Sequence, residues 1–293
     1  MRVLPRPRLI YGRRKVRPKN WRALPLGGFF GMLVLLLGAG QAANSSGPKN
    51  STPAETQSHT LVALPAPIAG PGALDVPLQL IAAARQTYQQ TRDYTCLFVK
   101  RERIRGELQP ENLVVMKVRS QPFSVYLRWQ KPDNMAGQEA CYVSGRNNGM
   151  MRAHSTGLLG AVGFISIAPN DPRALENSRH AITEAGIGNL IERFGPRWEV
   201  ERGLNKTWGR VAEYEYNRRR CIRVETIHPD NSGNHFLFYR SIVYFDKEHH
   251  LPIRCENYDW PRPGGDANGE LVECYSYADL RLNVGLTDAT FNH

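Results

Sequence analysis

The first 54 residues contain no aspartate or glutamate, although ten of the chain's 38 lysines and arginines fall within the first fifty. The rest of the chain is left with 28 basic residues against 27 acids, so the sequence pI of 9.6 reports the N-terminus. A basic nucleic-acid surface spread over the body is thereby excluded. Signatures of bond-making chemistry are missing too. The eight histidines and five cysteines include no His-x-x-x-His or Cys-x-x-Cys spacing, and there is no Gly-x-Ser-x-Gly. His249-His250 stand in a turn beside Lys247-Glu248, and Glu184, Glu192, Glu199 and Glu201 have no spacing that sets two across a cleft. Solvated surface charge is the expectation for all of them, so no catalytic residue, metal ligand or cofactor is assigned. No cysteine precedes Cys96, which removes a lipid-modified N-terminus, and no internal repeat is found.

What the N-terminus does have is an address. Nine basic residues from Arg2 to Arg22 precede Ala23–Ala43, which carries no charge. A basic arm ahead of an apolar core stays on the cytoplasmic side and sends the remainder across the membrane. Two readings stay open. Residues 1–42 are a signal peptide cut after Ala42, with Gly40 and Ala42 as the small residues of the site, or Ala23–Ala43 is an uncleaved anchor of roughly 20 residues. Residues 43–75, broken by Pro48, Pro53, Pro65, Pro67 and Pro71, read as a linker. Residues 76–293 are long enough for one domain with a sizeable core. The expected location is the periplasm or cell envelope.

That domain opens with a helix, capped by Asp75 and carrying Leu78, Ile81, Ala82 and Tyr88 at helical spacing. Strand patterns follow over 94–104, 112–118, 123–130, 139–144 and 150–155, with Asn147-Asn148-Gly149 as a hairpin turn. Residues 155–202 do not read as sheet: Ser155–Asn170 is uncharged and glycine-rich, a short helix is expected at Asp171-Pro172, and a second ends at Gly195-Pro196. Strands are expected again over 221–227, 235–245, 251–260 and 270–282. Short connections imply antiparallel pairing, and the order of elements implies an α+β fold with helices gathered on one sheet face.

Several segments carry a family resemblance. Pro122–Trp129, Gly137-Gln138-Glu139, Tyr142–Gly145, Tyr94-Thr95-Cys96, Leu251–Arg254 and Tyr277–Asn283 running on to Phe291 resemble the bacterial envelope family known as domain of unknown function 1571. The resemblance covers roughly 76–293. More distantly, the order of elements is similar to the LolA/LolB lipoprotein carriers. That likeness implies a curved antiparallel sheet or incomplete β-barrel, helices on its concave face, and an apolar cavity that takes acyl chains.

Aromatic residues on both faces of several strands are consistent with such a cavity, and equally with ordinary core packing. The residues selected as cavity-lining are Val125, Leu127, Trp129, Tyr142, Phe164, Phe236 and Phe238, with Arg128 beside them. Leu158–Ile167 reads either as a lid or membrane-touching loop or as a buried connector. Arg218-Arg219-Arg220 reads as a solvated turn, with anionic headgroups as the alternative partner. If strands 251–260 and 270–282 pair about Gly264-Gly265, Cys255 and Cys274 fall opposite each other as a candidate disulfide; the alternative is two buried thiols. The expected function is non-covalent binding of a lipid or acylated protein in the envelope, with contact at the membrane surface. The alternative is a structural or sensory envelope protein whose apolar face meets another protein.

Overall fold

A computed structural model describes residues 64–293 apart from Asn234. The leader, its cleavage or retention, and most of the linker lie outside these residues. Helix α1 (Asp75–Gln89) is entered through a 3-10 turn at Pro71–Leu74, so Asp75 is its first residue and Leu74 the cap position. The first strand group is β1 (Ile68–Ala69), β2 (Asp93–Ile104), β3 (Glu107–Leu108), β4 (Asn112–Arg119), β5 (Ser124–Lys131), β6 (Glu139–Val143), β7 (Met151–His154) and β8 (Ile165–Ile167). Helix α2 (Ile187–Leu204) separates it from β9 (Trp208–Tyr216), β10 (Arg219–Ile227), β11 (Arg240–Asp246), β12 (Pro252–Tyr258) and β13 (Leu271–Leu282).

Every pairing is antiparallel. The strands lie in the order β1-β9-β10-β11-β12-β13-β2-β4-β5-β6-β7-β8, with β3 on the end of β2, and β1 does not meet β8. The fold is therefore α+β with an open antiparallel sheet. Its two halves, far apart in sequence, join where β13 runs beside β2. Register shifts at Leu113/Val114, Tyr244/Phe245, Asn257/Tyr258 and Ala278/Arg281 bend the strands, as bulges do.

Both helices pack on one sheet face. The buried stripe of α2 is Ile187, Leu190, Ile191, Phe194 and Trp198, and it joins Ile81 and Ala84 of α1 over Tyr94, Met116, Val224, Val243 and Phe245. Two glycines let the helices approach: a Cβ on Gly188 would lie 2.4 Å from the Tyr88 ring, and one on Gly195 would lie 2.3 Å from Arg85 Nη2. Tyr94, fully buried, seats the start of α2 by accepting the Ile187 N–H at 2.8 Å.

Several sequence expectations are corrected here. Helix α2 runs through Pro196 to Leu204, because the buried stripe continues to Trp198 and Glu201. Segment 171–177 forms turns, and 165–167, expected to be non-sheet, is the edge strand β8. Strand β9 escaped the pattern because its one-sided face offers only Val211 to the main core, while Gly209 is needed where a Cβ would meet Ala73 O at 2.2 Å. The expected strand 235–245 begins only at Arg240. Cys255 and Cys274 are not partners. Near the turn, Tyr258 faces Leu271 as expected, but the bulge at Asn257/Tyr258 shifts the register by one residue. Cys255 then faces Tyr275 and Cys274 faces Glu256, so the two side chains point to opposite sheet faces. All five cysteines are free and buried.

Candidate ligand cavity

The apolar side of the bent sheet is not completely filled. A cavity of about 270 Å³ lies between it and the chain that leads into α2. Its floor is a patch across neighbouring strands: Tyr275 and Tyr277 of β13, Phe98 of β2, Val114 of β4, Leu127 and Trp129 of β5, Ala140 of β6, Met151 and Ala153 of β7, and Ile165 of β8. The register explains the room. Leu127, Ala140 and Ala153 face one another in a row across β5, β6 and β7, and two of the three are alanines. Leu190 of α2 and Ile182 form part of the roof, with Pro169, Ala174 and Ala181 from the connection before it.

One end is charged. Along β2 the inward face runs Tyr94, Cys96, Phe98 and then Lys100 and Glu102, all buried. Lys100 Nζ donates to Glu102 (3.0 Å), the Asn177 carbonyl (3.2 Å) and Ser178 Oγ (3.2 Å). Tyr275 OH donates to the other Glu102 oxygen. Glu273, only 1% exposed, accepts from Arg179 Nε (2.9 Å) and Asn257 Nδ2 (2.9 Å) and meets His180 Nε2 at 2.8 Å, with Arg193 at 3.7 Å. Burial alone would raise the Glu273 carboxyl, but the His180 hydrogen bond, Asn257 and Arg193 outweigh it and hold it down at about 2. Burial and the Glu273 and Glu102 carboxylates push the Tyr275 hydroxyl the other way. These bonds tie Asn177–His180, part of the cavity's cover, to the sheet floor.

Of the residues selected from sequence, Leu127 and Trp129 line the cavity, and Trp129 Nε1 is fixed by Asn112 Oδ1 at 2.9 Å. Val125 lies on the same face, fully buried in the core opposite Tyr142, whose ring packs on Phe123 at 6.3 Å. Phe164 sits between the rings of His154 (5.2 Å) and His293 (5.3 Å), next to the lining residue Ile165. Phe236 and Phe238 lie elsewhere. Phe236 stacks on His228 at 4.0 Å, and Phe238 borders a separate pocket of about 30 Å³ beside Trp198. Their segment leaves strand geometry because His228 Nδ1 is held by the Phe238 carbonyl at 2.7 Å. Arg128 is exposed. Sequence reasoning missed Ala140, Ala153, Met151 and the charged end. The change from apolar to charged along β2 was the available signal for the last of these.

The charged turns carry structural bonds. Asp246, Glu248 and His249 come together at the end of β11 and in the turn that follows, but Arg219 donates to both Asp246 and Glu248, so the carboxylates serve ion pairing. Arg220 reaches Glu213 at 3.5 Å, which leaves the Arg218-Arg219-Arg220 run largely matched by acids. Among the described residues no helix is long and apolar enough to cross a membrane.

Residues 91–293 match the family model described as protein of unknown function (DUF1571). No curated protein matches the chain. Solved structures with similar arrangements include an uncharacterised conserved protein from Thermus thermophilus, at 8% identity and TM-score 0.43, covering 75% of this chain and 94% of that one. Another is lipoprotein LppX from Mycobacterium tuberculosis, at 10% identity and TM-score 0.41, covering 72% and 97%. A third is a LolA superfamily protein from Nitrosomonas europaea, at 11% identity and TM-score 0.30, covering 73% and 96%.

Proposed function

The chain belongs to the DUF1571 family, and from its own cavity we propose that it is an exported envelope protein that holds one acyl chain, of a lipid or of a lipidated protein, non-covalently. The observation that carries this is the apolar cavity on the inner face of the sheet, with a charged end and a roof made by a pinned connection. Its 270 Å³ lies just below the ~300–1,000 Å³ usual for ligand sites. At about 30 Å³ per methylene, similar to the share of a water molecule, it takes at least roughly nine methylenes. Each contributes about 0.8 kcal/mol on leaving water.

The charged end argues for orientation. Lys100 has three acceptors and Glu273 four donors or near donors, so this network has no free charge for a headgroup. The polar end of the guest then belongs away from this network, toward the partly exposed lining residue Ile165. No bond-making step is assigned to the site. The acid-free, basic N-terminus ahead of Ala23–Ala43 supports export to the envelope.

Native mass spectrometry of the protein purified from its own envelope tests the proposal. A co-purifying acyl species that is released on denaturation is expected. Recovery of a stoichiometric protein partner and no lipid, even after incubation with fatty acids, would replace this role with an interaction role.

A further inference from the structure

Building on the lipid-binding role proposed above, we propose that the segment Thr156–Ile167 docks the cavity mouth onto a phospholipid bilayer, so that the guest passes between membrane and cavity without crossing water. Val162 is 72% exposed and Ile165 is 44% exposed, and Ile165 also lines the cavity. One side chain thus joins the protein's exterior to the apolar interior. The segment is a 3-10 turn, Gly157–Val162, leading into β8, the last strand of the sheet. Gly157 and Gly163 at its ends take φ of +66° and +76°, which turns the chain tip outward where other residues would be strained.

Charge selects the occupant. Between Glu139 and Asp171 the sequence has no acid but has Arg146 and Arg152; Arg146 pairs with Asp288 and the exposed Arg173 with Asp171, whereas Arg152, opposite Ser166 of β8, bonds Ser166 Oγ and the His293 carbonyl and no side-chain carboxylate. An uncharged, apolar tip beside Arg152, with no acid of its own, is complementary to headgroups over hydrocarbon. An acyl guest needs that surface as well, because it is poorly soluble and a cavity of this size shields only part of a long chain.

The test uses the full chain in vesicles of phosphatidylethanolamine with phosphatidylglycerol. The native cysteines are all buried, so a dye attaches selectively at an introduced thiol. Val162→Cys carries an environment-sensitive dye, and Glu213→Cys on β9, at the far side of the sheet order, carries the control. Nitroxide lipids are expected to quench the dye at 162 at least severalfold more than at 213. Equal quenching, or none at 162, overturns the docking role. In parallel, Val162→Asp should slow transfer of a fluorescent fatty acid from vesicles to the protein at least tenfold, while leaving its binding from detergent-free solution unchanged. An unchanged transfer rate also overturns it. Loss of fatty-acid binding by the unmutated protein, with selective quenching intact, would instead sink the cavity's lipid role and leave the docking surface standing.

Discussion

Replacing Ala140 with leucine should shorten the acyl chain that the protein prefers. Ala140 is 7% exposed on β6, lines the cavity, and stands between Leu127 and Ala153 in register. The substitution adds three carbons, which occupy about 90 Å³ if each takes the ~30 Å³ share of a water molecule. A guest that filled the cavity must withdraw about three methylenes, a loss of roughly 2.4 kcal/mol at ~0.8 kcal/mol each. Affinity for the longest chains should therefore fall about 50-fold. Chains already shorter by three carbons should bind as before. The assay is displacement of a fluorescent fatty acid by a series from octanoate to palmitate, with thermal unfolding measured beside it. Because the new side chain enters empty space, stability should hold or rise; overpacking a filled core would cost about 1–3 kcal/mol. An unchanged chain-length profile together with a loss of stability of that size would mean that the space is not there, and the reasoning would fail.

Two further outcomes follow from the polar groups that hold the cover in place. Glu273 lies below its ordinary 4.5, at about 2, so it stabilises the fold above the unfolded value and that contribution disappears as pH falls toward 2. Unfolding by denaturant at pH 7 and pH 3 should show part of a contribution on the order of 3 kcal/mol vanish, and Glu273→Gln should flatten that pH dependence; an equal pH slope in both proteins refutes the assignment. Tyr94→Phe leaves the buried Ile187 N–H without its acceptor and should lower stability by about 1–3 kcal/mol, read as a shift in denaturant midpoint at unchanged slope. No loss would show that α2 does not depend on this bond.

Most strands of the sheet were legible from alternation: β2, β4, β5 and β10 are long enough for period-two patterning to stand out. Short or edge strands were not. β8 has three residues inside a glycine-rich run, and β9 shows one sparsely apolar face. Trp129 and Leu127 were recoverable as an inward-facing alternation on one strand. Ala140 and Ala153 were not, because an alanine that makes room for a guest is indistinguishable in sequence from one that packs against a neighbour. Phe236 and Phe238 show the converse: they alternate like strand residues, but the His228 bond to Phe238 O bends their segment out of the sheet.

The linear chain determined the class of fold, its antiparallel pairing and the basic character of the N-terminus, since these are written in local periodicity and charge. Tertiary structure decided the rest. A single bulge at Asn257/Tyr258 separated Cys255 from Cys274, and the meeting of β13 with β2 brought Glu273 and Tyr275 to Glu102 across 170-odd residues of chain. Whether the bent face closes on itself or encloses a space depends on how large and small side chains from seven strands fall together, and no local pattern carries that sum.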